Sequence, residues 1–301
     1  MSPPRVSLPW RATLALLDRL PQGLLSRAAG ALADIPLPGP LRRPVLSTFA
    51  RSVGIDVSEA ARPLGDYGSV NEFFVRRLRA GARDFPTEAT VLASPVDGVV
   101  GQAGRVSEGR ALQAKGRDYA VADLLLDPER ATAWSDGSFL TIYLSPRHYH
   151  RIHTPLPGRI VEARHLPGRL FPVNRPAVAG VDRLFAINER LVAHLDTEVG
   201  PVAVVAVGAY NVGRISAAFD PAWSGGAGTS VTNRGTPPPP LRRYDPGIEV
   251  AAGEEIMAFH LGSTVVLLLP PGLHIRPEVR EGLEVKAGSP LAGAAPHDHN
   301  S

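Results

Sequence analysis

The sequence predicts an α+β protein, an N-terminal helical region followed by a compact, mainly antiparallel β-rich domain. Three observations carry this prediction. Apolar residues recur at helical spacing ahead of Gly81. After residue 90 they fall instead into short β-branched or apolar runs, most of them bounded by glycine or proline. Thirty glycines and thirty prolines in 301 residues exceed what a helical bundle tolerates, because proline removes a backbone donor and blocks the helix interior.

Three regions follow in chain order: residues 1–43, 44–90 and 91–301. In the first, Leu14, Leu17 and Leu20 recur at helical spacing before Pro21. Leu24, Leu25, Ala28 and Leu32 do so before Pro36, Pro38 and Pro40, with Trp10 at the entry. Six arginines stand against two aspartates here, whereas the whole chain carries a net charge of only +3. A basic amphipathic helix pair fits a lipid interface, where each arginine near an anionic surface contributes about 1 kcal/mol. A helical hairpin packed on the body fits the same pattern. No run of 18 apolar residues is present, so no spanning helix is expected, and the scattered arginines and prolines do not read as a secretory signal.

The helical signal continues from Pro44 to Leu78. Ser69-Val70-Asn71-Glu72 reads as a capping box ahead of Phe73, Phe74 and Leu78, and Gly81 ends the helix. Beyond residue 90, strands are expected at 91–93, 99–100, 139–144, 159–163, 202–207, 256–259 and 264–269. A brief helix is expected around 124–129 and another over 182–194. Residues 223–246, with Pro237 to Pro240 in a row, read as an exposed loop, and the tail with His297 and His299 as unstructured.

Chemistry-bearing residues gather at three places. Asp97 stands in a turn between two apolar runs, where capping the turn is the structural explanation and orienting a partner the functional one. His148, His150 and His153 fall within six residues. In an extended segment His148 and His150 face one side and His153 the other, so all three converge only through a bend. Ser263 follows Gly262 at the head of the apolar run 265–269. With no cysteine in the chain, disulfides, thiolate metal sites and a cysteine nucleophile are excluded.

Two chemistries compete for these residues. His148, His150, His153 and Asp97 suit a metal-dependent hydrolase. An Asp–His–Ser relay instead uses all three landmarks, with Asp97 orienting an imidazole that takes the proton of Ser263. The serine lacks the Gly-x-Ser-x-Gly elbow of ordinary serine hydrolases, because Leu261-Gly262-Ser263-Thr264-Val265 leads into another strand. A serine after glycine can attack the carbonyl of its own preceding residue, since glycine permits the close approach and unusual backbone angles required.

Seven motifs stand in an order that resembles the phosphatidylserine decarboxylase proenzymes: Ser94-Pro95-Val96-Asp97-Gly98, Leu112-Gln113-Ala114-Lys115-Gly116, Tyr143-Leu144-Ser145-Pro146, Tyr149-His150-Arg151-Ile152-His153, Leu184-Phe185-Ala186 with Asn188-Glu189-Arg190, Val207-Gly208-Ala209 and Leu261-Gly262-Ser263-Thr264. The resemblance covers roughly residues 65–295. It implies that Ser263, activated by His153 with Asp97 behind it, cleaves the Gly262–Ser263 bond. The products would be a β chain, 1–262, and an α chain, 263–301, that stay together as a heterodimer. Residue 263 would become a pyruvoyl group, the cofactor, forming a Schiff base with phosphatidylserine and serving as electron sink while carbon dioxide leaves. Phosphatidylethanolamine would be released, with no metal and no nucleic-acid partner.

The same resemblance makes His150 the candidate proton donor and Lys115 a candidate for the lipid phosphate, against the plain reading of a solvated strand-end charge. It assigns His148 no role. It places the protein peripherally on the cytoplasmic side of the cell membrane, with the N-terminal segment as interfacial anchor. A metal-dependent hydrolase and a non-catalytic β-domain that binds lipid surfaces are the competing readings.

Overall fold

A computed structural model describes residues 7–210, 214–224, 230–232, 240–260 and 263–294. Leu261 and Gly262, Pro237 to Pro239 of the proline run, and the tail histidines His297 and His299 lie outside the described residues.

Four helices open the chain: α1 (Leu8–Arg19), α2 (Gln22–Ala33), α3 (Gly39–Val53) and α4 (Val70–Phe74). Proline in the first turn, where no intrahelical donor is needed, starts α1 and α3. Helix α3 runs on through Pro44 and ends at Gly54 in the left-handed region, so residue 43 lies inside a helix. At α4 the Ser69 hydroxyl accepts from the Glu72 N–H at 3.1 Å, and the Glu72 carboxylate takes the Gly68 N–H at 2.6 Å. The helix stops at Phe74, short of the expected Leu78. The Val75 carbonyl accepts from Arg151 Nε at 2.8 Å and Leu78 bridges to Ala60, so tertiary contacts take over the backbone that a longer helix would use.

Beyond the helices come β1 (Val91–Ala93), β2 (Gly98–Arg105), β3 (Arg110–Ala114) and β4 (Arg117–Ala120), then the short helices α5 (Val121–Leu125) and α6 (Pro128–Ala131). Strands β5 (Ser138–Leu144), β6 (Arg151–His153) and β7 (Gly158–Leu166) lead to α7 (Arg175–Gly180) and α8 (Leu184–Ile187). The chain continues through β8 (Arg190–Thr197), β9 (Gly200–Val207), β10 (Ile215–Ala217), α9 (Pro221–Ser224), β11 (Leu241–Val250) and β12 (Glu255–Phe259). It closes with β13 (Ser263–Leu269), β14 (Leu273–Ile275), β15 (Glu284–Val285) and β16 (Pro290–Ala294).

Two expectations are corrected. The helix expected over 182–194 is only the single turn α8, and residues from Arg190 onward form β8. Lying between β7 and β9 and buried on both faces, β8 carries an apolar run that periodicity alone does not distinguish from a buried helix. The expected loop 223–246 contains the start of β11, an edge strand on β7. Its Pro246 falls at a register shift between Arg243 and Ile248, where an edge strand tolerates a missing donor.

The large sheet is antiparallel, in the order β11-β7-β8-β9-β13-β5-β2-β15. Strand β13 lies inside it, paired with β5 from Ser263↔Leu144 to Leu269↔Ser138 and with β9 from Thr264↔Val207 to Leu268↔Ala203. Its side chains alternate between two cores. Val265, Leu267 and Leu269 pack under the three-stranded sheets β1-β16-β14 and β10-β12-β6, while Val266 and Leu268 pack against α5, α7, α8 and the β3–β4 hairpin. Each of these fully buried side chains stabilises the fold by roughly 2 kcal/mol.

Gly98, which closes the Asp97 turn, lies tight against β5. A Cβ there would stand 2.6 Å from Ile142 Cγ2 and 2.7 Å from the Tyr143 carbonyl oxygen. Gly98→Ala is therefore expected to cost about 1–3 kcal/mol by forcing β2 and β5 apart. Chemical denaturation measures this, and an unchanged midpoint would refute the packing argument.

Candidate active site

Strand β12 delivers the chain to Ser263, and the histidine segment lies against it. Strand β6 pairs with β12, and the Phe259 N–H donates to the His150 carbonyl at 2.9 Å. The turn bearing Asp97 joins from the other side, its Pro95 carbonyl accepting from the His153 N–H at 2.9 Å. Residues far apart in sequence are thus gathered around the β12–β13 connection by backbone pairing.

Ser263 is fully buried opposite Leu144, and its Oγ has no hydrogen-bond partner among the described residues. His150 is fully buried beneath the ring of Phe74, with centroids 4.1 Å apart. Its Nδ1 lies 2.9 Å from the His148 carbonyl oxygen. That atom only accepts, so the ring proton sits on Nδ1 and the Nε2 lone pair is left bare. Burial pushes the His150 pKa down to about 3, and the neighbouring Arg76 charge acts in the same direction. Buried polar atoms without partners cost about 1–3 kcal/mol each, and Ser263 Oγ and His150 Nε2 both carry that cost.

The other relay residues are held differently. His153 donates through Nδ1 to the Gly253 carbonyl at 2.8 Å and accepts at Nε2 from the Tyr149 hydroxyl at 3.1 Å. Its ring stacks on Tyr149 and packs against Phe85, and burial lowers its pKa. Asp97 does not cap its own turn, where the Ser94 hydroxyl binds the Val96 carbonyl. Its Oδ1 instead accepts from Arg83 Nε at 2.8 Å and from the Ala287 N–H at 2.9 Å, while Oδ2 pairs with Arg83 Nη2. Arg83 also grips Glu59, holding that carboxyl down at about 2. Asp97, His153 and Ser263 therefore share one region, but no hydrogen bond joins them in this arrangement. Arg83 and Tyr149, which occupy Asp97 and His153, carry no sequence signal of that role, although Tyr149 stands inside the histidine motif.

His148 is turned to separate work. Its Nδ1 accepts from the Ser145 N–H at 3.0 Å, closing a turn, and its Nε2 faces Glu284 at 3.6 Å. His148, His150, His153 and Asp97 thus have four different sets of neighbours. Among the described residues, no three His, Asp or Glu side chains are grouped to hold a metal ion. The metal-hydrolase reading finds no support in this geometry.

On the opposite face of β13 lies a cavity of about 980 Å³. Thr264 and Tyr143 line it beside Phe185 and Gln113, and Trp10 of α1 forms part of its wall. Lys115 is exposed and also lines it. One residue of β13 therefore separates the bare serine hydroxyl from a largely apolar cavity.

Burial also sets how stability responds to acid. His150, His194 and His260 have pKa values lowered to about 3, 4 and 4, chiefly by desolvation, from an ordinary value of 6.5. Below pH 6.5 the unfolded chain takes up protons that the native state refuses, so stability is full above that pH and falls as pH drops. Each such histidine costs about 1.4 kcal/mol per pH unit. Glu59, held near 2, loses its contribution only below its ordinary 4.5. The urea midpoint is therefore expected to be level above pH 6.5 and to fall between 6.5 and 4.5. A level midpoint across that lower window would overturn the assignment.

Comparison with known proteins accounts for this assembly. Residues 70–293 match the Phosphatidylserine decarboxylase family. The phosphatidylserine decarboxylase proenzyme of Anaeromyxobacter sp. (strain K) is 45% identical over 286 residues, covering 95% of this chain and 99% of that protein. The proenzyme of Myxococcus xanthus is 41% identical, covering 86% of this chain and 89% of its own length, and that of Brevibacillus brevis is 40% identical, covering 92% and 96%. The chain belongs to the phosphatidylserine decarboxylase family.

Proposed function

We propose that the chain is a self-processing, pyruvoyl-dependent decarboxylase that converts phosphatidylserine to phosphatidylethanolamine and carbon dioxide in phospholipid biosynthesis. The observation that carries this is Ser263, buried and unpartnered at the head of a doubly paired strand, in a chain of this family. In processing, the Ser263 hydroxyl adds to the Gly262 carbonyl carbon and the acyl group passes from nitrogen to oxygen. Elimination then releases the Gly262 carboxylate and leaves dehydroalanine, which water converts to the pyruvoyl group with loss of ammonia. Residue 263 fits that fate, because its hydroxyl makes no hydrogen bond among the described residues that the change would break. Once formed, the group supplies an electron sink for the departure of carbon dioxide. The pairing of β13 with β5 and β9 would hold the 263–301 chain to the 1–262 chain as a heterodimer.

His153 with Asp97 behind it is the proposed base. In the structure Tyr149 and Gly253 hold both of its nitrogens, so this role requires His153 to change partners. One observation favours a second reading, in which His150 is the base: its Nε2 is bare and its ring neutral. The same neutrality means that His150 must take up a proton before it can return one to the substrate carbon.

The cavity behind Thr264 is the proposed lipid site, with exposed Lys115 suited to a phosphate. A peripheral attachment to the cytoplasmic face of the membrane is supported by α2, which buries Gln22, Ser26 and Gly30 while leaving Leu24 57% and Leu32 70% exposed. Among the described residues, six of the nine exposed large hydrophobics lie between Leu8 and Leu41. Among the described residues no helix is long and apolar enough to cross a membrane. We therefore assign α1 and α2 to the lipid interface, residues 39–90 to packing on the core, and the remainder to the catalytic domain.

A denaturing gel and intact mass test the processing. Two chains parting between 262 and 263, the smaller blocked at its N-terminus, are expected, and Ser263→Ala should remain whole. His153→Ala should slow cleavage by about 10²-fold or more while His150→Ala matures without releasing carbon dioxide. The reverse pattern would transfer the base role to His150. For the membrane, the pair Leu24→Asn and Leu32→Asn should leave self-cleavage intact but reduce sedimentation with anionic vesicles by about tenfold. Unchanged sedimentation would sink the interfacial assignment.

A further inference from the structure

His260, two residues before Gly262, takes no part in the chemistry above, yet it is buried and bonded on three sides. Its N–H donates to the Arg214 carbonyl at 3.0 Å. Its Nε2 lies 3.1 Å from Ser216 Oγ, and its Nδ1 lies 3.2 Å from Asn71 Nδ2 in α4. Asn71 Oδ1 lies 3.3 Å from the same Nδ1, and the amide Nδ2 also donates to Asp34 Oδ1 at 2.6 Å, so Asp34 orients Asn71 and the amide holds Nδ1 with the ring proton on either nitrogen. Asp34, the C-terminal cap of α2, accepts through Oδ2 from Arg214 Nη1 at 2.6 Å. The bonds form a closed circuit from Asp34 through Asn71 and His260 to Arg214 and back. Gly30, one turn earlier in α2, keeps the path open: a Cβ there would stand 3.1 Å from Arg214 Cζ.

We propose that His260 is a positioning residue for self-processing, set in place by Asn71 and Asp34, so that the docked N-terminal helices govern how fast the chain matures. The inference rests on the reading that Ser263 cleaves its own peptide bond. Addition of a hydroxyl to the preceding carbonyl depends on sub-ångström placement, and a displacement of about 1 Å is enough to cost about 10²-fold in rate. Strand β13 fixes the serine side through β5 and β9. On the other side of the bond the circuit fixes His260, from helices more than 180 residues earlier in the chain. After cleavage His260 and Ser263 belong to different chains, so the circuit bears on maturation rather than on turnover by the mature enzyme.

The test follows cleavage of the full chain after a pulse of cell-free synthesis, together with carbon dioxide released per mole of cleaved chain. At position 260 an asparagine amide falls where Nδ1 lies and a glutamine amide where Nε2 lies. His260→Asn therefore keeps the link to Asn71, and His260→Gln loses it. Asn71→Leu and His260→Gln should each mature about tenfold more slowly, and His260→Asn within about threefold of the unaltered chain. Output per mole of cleaved chain should stay within about twofold throughout. Maturation of Asn71→Leu at the unaltered rate would overturn the proposal. So would equal slowing by Asn and Gln at 260, or a parallel fall in output per cleaved chain, since both describe a general loss of structure. An unaltered chain that never cleaves would instead sink the self-processing reading itself.

Discussion

The antiparallel pairing of β13 with β5 and β9 is the constraint on which the rest depends. A strand bonded along both edges and buried on both faces has little freedom to shift, because a one-residue slip would exchange the two cores on which its side chains depend. Ser263 inherits that rigidity as the first residue of the strand. The Asp97 turn, the histidine segment and the cavity are all placed relative to it through β2, β6, β12 and Tyr143 of β5. Reactive groups are therefore positioned by main-chain hydrogen bonds, which are far less compliant than side-chain contacts alone.

The alternation of β13 also separates two tasks. Ser263 faces the core that the histidines and Asp97 approach, and Thr264 faces the cavity and the N-terminal helix α1. In the proposed function, processing chemistry and lipid access fall on opposite faces of one strand. The ionic arrangement is equally divided. Arg83, Glu59 and Asp97 form a largely buried network of paired charges, whereas the imidazole of His150 is kept neutral by burial.

Much of this was legible in the residues themselves. Ser263 is visible as a hydroxyl after glycine at the head of an apolar run, and that run forms a strand as expected. Asp97 is visible as a carboxylate in a turn and the histidines as three imidazoles within six residues, but their partners are not. Arg83 lies 14 residues before Asp97, Gly253 lies 100 beyond His153, and no local pattern encodes such contacts. Strand β8 is not distinguishable from a helix in the sequence, because an apolar run buried on both faces has no period. The N-terminal leucine stripe was visible as a stripe, but not the direction it would face. Helix α2 packs its small and polar side inward because Gln22 bonds the Leu17 carbonyl and the Leu170 N–H, and because Arg214 needs the space at Gly30.

The position of β13 in the chain carries a consequence for timing. Its two neighbours end at Leu144 and Val207, so both have left the ribosome well before residue 263 is made. The strand enters after both, into a slot between partners already synthesised, and its contacts with β5 span about 120 residues of sequence. A nascent chain therefore has no constrained serine until nearly all of its sheet exists. Under the proposed self-cleavage, birth order acts as a safeguard: the bond would be broken only in a molecule that has already built what will keep its two pieces together.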